Sequence, residues 1–166
     1  MSPDPPTGQS SQLVRHGTEL PAWTSVLAVV AHPDDESFGL GAVLDAFVRS
    51  GASVSVLCLT RGEASTLGSG PELSAVRAEE LSNAADHLGI GSAVLLDYGD
   101  GRLANVPACV LEAEVLRELD ERPAEGLVVF DPSGITGHPD HTAATRSATI
   151  AALSRNLPVL AWTLPH

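Results

Sequence analysis

At 166 residues the chain is about one domain long, and its 43% of hydrophobic residues suffices for one sizeable core. A formal charge of −12, from 9 basic against 21 acidic residues with no basic run, makes nucleic acid and anionic membrane surfaces poor partners. All 9 basic residues are Arg; the lack of Lys excludes Schiff-base chemistry, a phosphate-loop lysine and a lysine general base.

Residues 1–22 read as a flexible lead, since Pro3, Pro5, Pro6 and a Ser/Gln cluster offer little to bury, and residues 23–166 read as one folded domain. Met1 to Gln12 contains neither the basic segment nor the apolar stretch of a signal peptide, and no run reaches transmembrane length. The expected location is the cytoplasm.

From Thr24 onward strands and helices alternate. Thr24 to Ala31 is an apolar strand; Phe38 to Arg49 has helical spacing and stops at Gly51; Val54 to Thr60 is the second strand. Glu72 to Leu88 predicts a second helix with Leu73, Val76, Leu81, Ala84, Ala85 and Leu88 on its apolar side. Ala93 to Leu96, Val106 to Leu119, Leu127 to Phe130, His141 to Ser154 and Val159 to Thr163 continue as strand, helix, strand, helix and strand. Cys58 and Cys109 lie in no close-spaced ligand pair, and both read as reduced, buried core residues.

Apolar strands separated by amphipathic helices predict an α/β fold, a Rossmann-like three-layer sandwich with a mostly parallel sheet. The expected strand order is 3-2-1-4-5. In such a sheet ligands bind beyond the carboxyl ends of strands one and four, where the chain reverses its direction of growth. Gly39-Leu40-Gly41 resembles the start of a dinucleotide fingerprint, but Leu44 holds the third glycine's place.

His-Pro-Asp occurs twice, at His32-Pro33-Asp34 after strand one and at His138-Pro139-Asp140 after strand four. With 6 His, 12 Pro and 10 Asp in the chain, chance supplies about 0.03 copies. The fold would therefore gather three histidines and three aspartates in one pocket, enough to hold one divalent cation and leave an acid and a base free. Pro33 stiffens the first loop, so His32 and Asp35 can face a common centre while Asp34 aims into the open pocket as a base. His141 completes a two-histidine, one-carboxylate set. His138 remains to stabilise an oxyanion or protonate a leaving amine, with Asp140 holding its tautomer. Amide hydrolysis fits this set best; Asp131 keeps a two-metal phosphoesterase open as an alternative.

Ala31 to Gly41 (AHPDDESFGLG), Leu59 to Ala64 (LTRGEA), Arg77-x-x-Glu80, Tyr98 to Leu103 (YGDGRL) and Phe130 to Ala143 (FDPSGITGHPDHTA) resemble the PIG-L/LmbE-like N-acetylglucosaminyl deacetylases. The resemblance implies a zinc-dependent hydrolase, one Zn2+ per chain or another divalent metal in its place. The substrate would be a small N-acetylglucosamine-type amino sugar, as a glycoside or glycoconjugate. It implies His32, Asp35 and His141 as metal ligands, Asp34 as general base, and His138 with Asp140 as the transition-state group. Arg61 and Asp100 are implied near the sugar.

Two further readings stand beside it: a metal-dependent amidase of a glycosidic thiol conjugate, and a catalytically inactive metal- or sugar-binding module. Family members continue well past the fifth strand, so the domain reads as short at its C-terminus. The sheet edge at Val159 to Leu164 is then a place for a partner chain in a homo-oligomer.

Overall fold

Strand β1 (Ser25–Val30) is apolar almost throughout because both its faces are covered. Val26, Ala28 and Val30 point into one helical layer, and Leu27, Val29 and the following Ala31 into the other. The computed structural model describes residues 19–64 and 71–163; most of the expected lead, and Leu164, lie outside the described residues.

β2 (Ser53–Thr60), β3 (Ser92–Tyr98), β4 (Gly126–Phe130) and β5 (Val159–Trp162) join β1 in one sheet of order β3-β2-β1-β4-β5, and every pairing is parallel. The register sets Ala28 opposite Val56 on one side and Val128 on the other. α1 (Gly41–Arg49) and α2 (Pro71–Leu88) cover one face through Leu44, Phe47, Leu81 and Ala85. α3 (Ala108–Glu121) covers the other through Leu111, Val115 and Leu119, and α5 (Pro139–Ser154) through Ala144, Ala148, Ala151 and Ala152. A single turn, α4 (Gly134–Gly137), precedes α5.

Three features differ from expectation. The helix expected from Phe38 is split: residues Asp35–Gly39 form a π-helical turn, and α1 begins only at Gly41. Asp34, at φ 105°, turns the chain sharply into this segment. Gly39 then passes so close to Phe130 that a Cβ would collide with the ring. Cys109 is exposed, not buried, because the i, i+4, i+8 stripe of Leu111, Val115 and Leu119 faces the sheet; Cys58 is buried, and both thiols are free. Val76 is also exposed: α2 lies over the sheet's edge, against β3 and α1, and its apolar stripe is wider than that contact. Among the described residues no helix is long and apolar enough to cross a membrane.

Candidate metal centre

β1 and β4 lie side by side, and the loops leaving their carboxyl ends meet above the sheet. The ring centroids of His32, His138 and His141 are 5.0, 5.2 and 4.9 Å apart pairwise. Phe130, the last residue of β4, packs against His141 at 4.9 Å between centroids.

In the first loop the Asp35 carboxylate is locked by its own chain: Oδ2 accepts the backbone N–H of Ala31 at 3.2 Å and of His32 at 3.0 Å. The same oxygen lies 3.6 Å from His32 Nδ1, and Oδ1 lies 3.1 Å from His141 Nε2. Asp34 faces elsewhere. Its Oδ2 accepts from Arg77 Nη1 of α2 at 3.0 Å, and the same Arg77 nitrogen stands 3.5 Å from Glu80.

In the second loop, Pro139 occupies the first turn of α5, where its missing N–H costs nothing, and His138 is the N-cap. His138 Nδ1 accepts the backbone N–H of Asp140 at 3.2 Å, which leaves the neutral ring's proton on Nε2. His141 Nδ1–H donates to the Gly134 carbonyl at 3.2 Å, leaving Nε2 as the lone-pair nitrogen. Gly134 makes that contact available: at φ 72° it suits glycine, and a Cβ would meet Thr142 Oγ1 at 2.8 Å.

Asp140 is fully buried, and its carboxylate does not serve His138 as the sequence pattern predicts. Oδ2 accepts the N–H of Gly101 at 2.8 Å, Oδ1 that of Leu103 at 3.1 Å, and His32 Nε2 stands 3.3 Å from Oδ2. The tautomer of His138 is held by the backbone of Asp140. Asp100, expected near the sugar, has Oδ1 3.0 Å from His32 Nε2, while Oδ2 accepts the N–H of Ala64 at 2.9 Å. Arg61 donates from Nε to the exposed Asp97 at 2.9 Å and lines a cavity of about 320 Å³ with Leu81, Ala85, Asp86, Ile90 and Leu95 of α2 and the β3 edge. Asp131 accepts from the backbone of Ser133.

The electrostatics follow from crowded carboxylates. Burial disfavours charge on His32, but Asp35, Asp100 and Asp140 outweigh it and push its pKa up to about 9. Burial would raise Asp35, yet bonds from His141 and His32 hold it well below the usual carboxylate range. Asp34 is raised by burial and by neighbouring Asp35, with Arg77 opposing. His138 is lowered by burial and by the other two histidines. His141 is raised because Asp35 overcomes its burial.

His32, Asp35 and His141 form a group in which one ligand atom from each residue lies within 4.8 Å of the others, and the ring nitrogens paired with Asp35 are His32 Nδ1 and His141 Nε2. The donor set fits a borderline divalent cation: two imidazoles and one carboxylate, with His141 oriented by a carbonyl and His32 by two carboxylates. His32, His138 and Asp140 form a second such group, but both Asp140 oxygens are already engaged by backbone N–H groups.

Residue type alone does not single out Arg77 or Glu36. The sequence signal for Arg77 is the Arg77-x-x-Glu80 match, and in the structure its side chain is only 16% exposed. Glu36, wholly buried in the π-helical turn, is masked in sequence by the neighbouring acids.

A His-Asp-His group able to hold a metal, placed above the switch point of an all-parallel sheet, defines a Rossmann-like α/β protein with a candidate metal site. Residues 27–153 match the family model PIG-L, GlcNAc-PI de-N-acetylase, and the chain belongs to that family. It is 31% identical to a 1D-myo-inositol 2-acetamido-2-deoxy-alpha-D-glucopyranoside deacetylase of Mycolicibacterium vanbaalenii, over 84% of this chain and 58% of that protein. It is 35% identical to a probable N-acetylglucosaminyl-phosphatidylinositol de-N-acetylase of Schizosaccharomyces pombe, over 80% of this chain and 53% of that one. Among solved structures, N,N'-diacetylchitobiose deacetylase from Pyrococcus horikoshii superposes with a TM-score of 0.67 at 27% identity, covering 79% of this chain and 50% of that one. The chain thus spans about half the length of these relatives, from 50% to 58%.

Proposed function

We propose that this chain carries the metal-binding and catalytic residues of a zinc-dependent N-deacetylase acting on an N-acetylglucosamine-type glycoside or glycoconjugate. The observation that carries the reading is the convergence of His32, Asp35 and His141, with Asp34 and His138 beside them as the two groups not needed as ligands. Relatives named for deacetylating GlcNAc-inositol, GlcNAc-phosphatidylinositol and diacetylchitobiose support the substrate class.

A cation held by His32, Asp35 and His141 would polarise the amide carbonyl and acidify the attacking water. Asp34, its pKa raised by burial, takes the water's proton as the C–O bond forms. His138 Nε2–H donates to the developing oxyanion, which suits a ring kept neutral by its surroundings. The proton on Asp34 passes to the nitrogen as the C–N bond breaks, giving amine and acetate. Arg77 holds the carboxylate in place between these transfers.

Asp140 and Asp100 support His32 from behind, and Arg61, partly exposed, would reach a sugar hydroxyl by leaving its ion pair with the exposed Asp97. The two free thiols favour a reducing compartment such as the cytoplasm. The test is to load the purified chain with one equivalent of zinc and assay GlcNAc glycosides and diacetylchitobiose for free amine. Equal release of amine and acetate, lost on chelation, is the expected result. Metal-loaded protein that releases no amine from any of them would instead favour an inactive metal- or sugar-binding module.

A further inference from the structure

Asp34 adopts φ 105° and ψ −26°, a conformation in which side-chain-bearing residues are strained. Such a geometry persists only where the surroundings over-determine it. Three groups of Asp34 are held here. The Asp34 carbonyl accepts from Ser37 N at 3.1 Å and Phe38 N at 2.8 Å, its carboxylate takes Arg77, and its N–H donates to Glu36 Oε2 at 3.0 Å.

The third contact stands out. Glu36 is 0% exposed, and its other oxygen, Oε1, has no hydrogen-bond partner among the described residues. A buried carboxyl with half its capacity unused is a poor way to stabilise a fold, since an apolar side chain of similar size avoids that desolvation. What an apolar side chain cannot do is accept the Asp34 N–H. Rotation about the N–Cα bond of Asp34 would swing its Cβ, and with it the carboxylate, off the line to Arg77, while Asp35 keeps its own bonds to Ala31 and His32.

We infer that Glu36 is a positioning residue for Asp34: its buried carboxyl pins the Asp34 peptide in the left-handed conformation, so that two consecutive aspartates serve different purposes, Asp35 bonded between the two histidines and Asp34 held against Arg77 as the base. The inference rests on the reading of Asp34 as the general base. Glu36 itself touches neither substrate nor metal ligand atoms in this scheme.

The experiment pairs Glu36→Met, which removes the acceptor, with Glu36→Gln, which keeps it. The first readout, independent of turnover, is amide hydrogen exchange at Asp34 in the zinc-loaded protein. Slow exchange is expected in wild type and Glu36→Gln, with a rise of about tenfold or more in Glu36→Met while β1 is unchanged. The second readout is kinetic: kcat should fall about 10–100-fold in Glu36→Met with KM and zinc stoichiometry unchanged, as a displaced reacting group requires. In an Asp34→Ala background the same substitution should change nothing further, because Glu36 acts only through Asp34. Should Glu36→Met not fold, Glu36→Ala and the wild-type exchange rate carry the test. An unprotected Asp34 amide in wild type, equal protection in the acceptor-less variant, or additive loss in the Asp34→Ala background would each overturn the proposal. A wild-type chain that releases no amine would count against the deacetylase reading, whereas the exchange rates would still decide whether Glu36 holds the Asp34 peptide.

Discussion

The two His-Pro-Asp tripeptides have identical sequences and opposite uses. In the first, His32 faces Asp35 through Nδ1, and Asp34 sits at positive φ with its carboxylate directed to Arg77. In the second, His138 caps a helix through Nδ1, and Asp140 lies in that helix's first turn, fully buried and saturated by two backbone N–H groups. The difference is set by the backbone just beyond each histidine. Asp34 enters a π-helical turn that reverses its backbone, whereas Pro139 starts a regular α-helix that draws Asp140 inward. A short motif supplies reactive groups; the exit geometry of its strand assigns their work.

The sharpest way to break this contrast is to exchange each histidine for alanine. His32→Ala should lose zinc altogether at micromolar concentrations, a larger loss than the roughly 10–100-fold expected for an outer-shell partner. His138→Ala should bind zinc with near wild-type affinity. Equilibrium dialysis of both variants decides it, and equal losses would make the two loops equivalent.

The aspartates offer the next test. Asp34→Ala should keep its zinc and lose about 10²–10⁴-fold in kcat, the usual contribution of a general base. Asp140→Ala should act chiefly on stability, lowering it by about 3 kcal/mol in urea unfolding, because two buried N–H groups and His32 lose their partner. A stable Asp140→Ala protein would show that water can replace the carboxylate.

The smallest effect expected is a gain. Asp34→Gly relieves the positive φ, and after the entropy of the added glycine and the lost bond to Arg77 it should stabilise the fold by about 0.5–1 kcal/mol while losing turnover as Asp34→Ala does. No such gain is expected at Asp140, whose backbone is helical. Unchanged or lower stability for Asp34→Gly would mean that the turn carries no strain.

Much of the fold is legible in the sequence. The alternation of apolar runs and helical stripes predicts the sheet order, since parallel strands need crossovers and both faces must be covered. The two His-Pro-Asp copies then fall at neighbouring strand ends, which brings His32 and His141 to one Asp35 across more than 100 residues. Helix periodicity places Leu111, Val115 and Leu119 inside but says nothing decisive about Cys109, two positions ahead of the stripe.

Local spacing reaches only three or four residues along the chain, so the kinds of group available and the ends of the elements can be read from the sequence. Partner choice is different. Asp140 takes the N–H groups of Gly101 and Leu103, Asp34 takes Arg77, and Asp100 takes His32, through contacts between residues about 40 to 70 positions apart. Each depends on which loops the assembled sheet holds within about 3 Å of one another, because hydrogen bonding and charge pairing fall away steeply beyond that distance. The sequence therefore determined that further carboxylates and a third histidine accompany the His32, Asp35 and His141 group, and only the packed structure decided which carboxylate pairs with an arginine and which is spent holding a histidine.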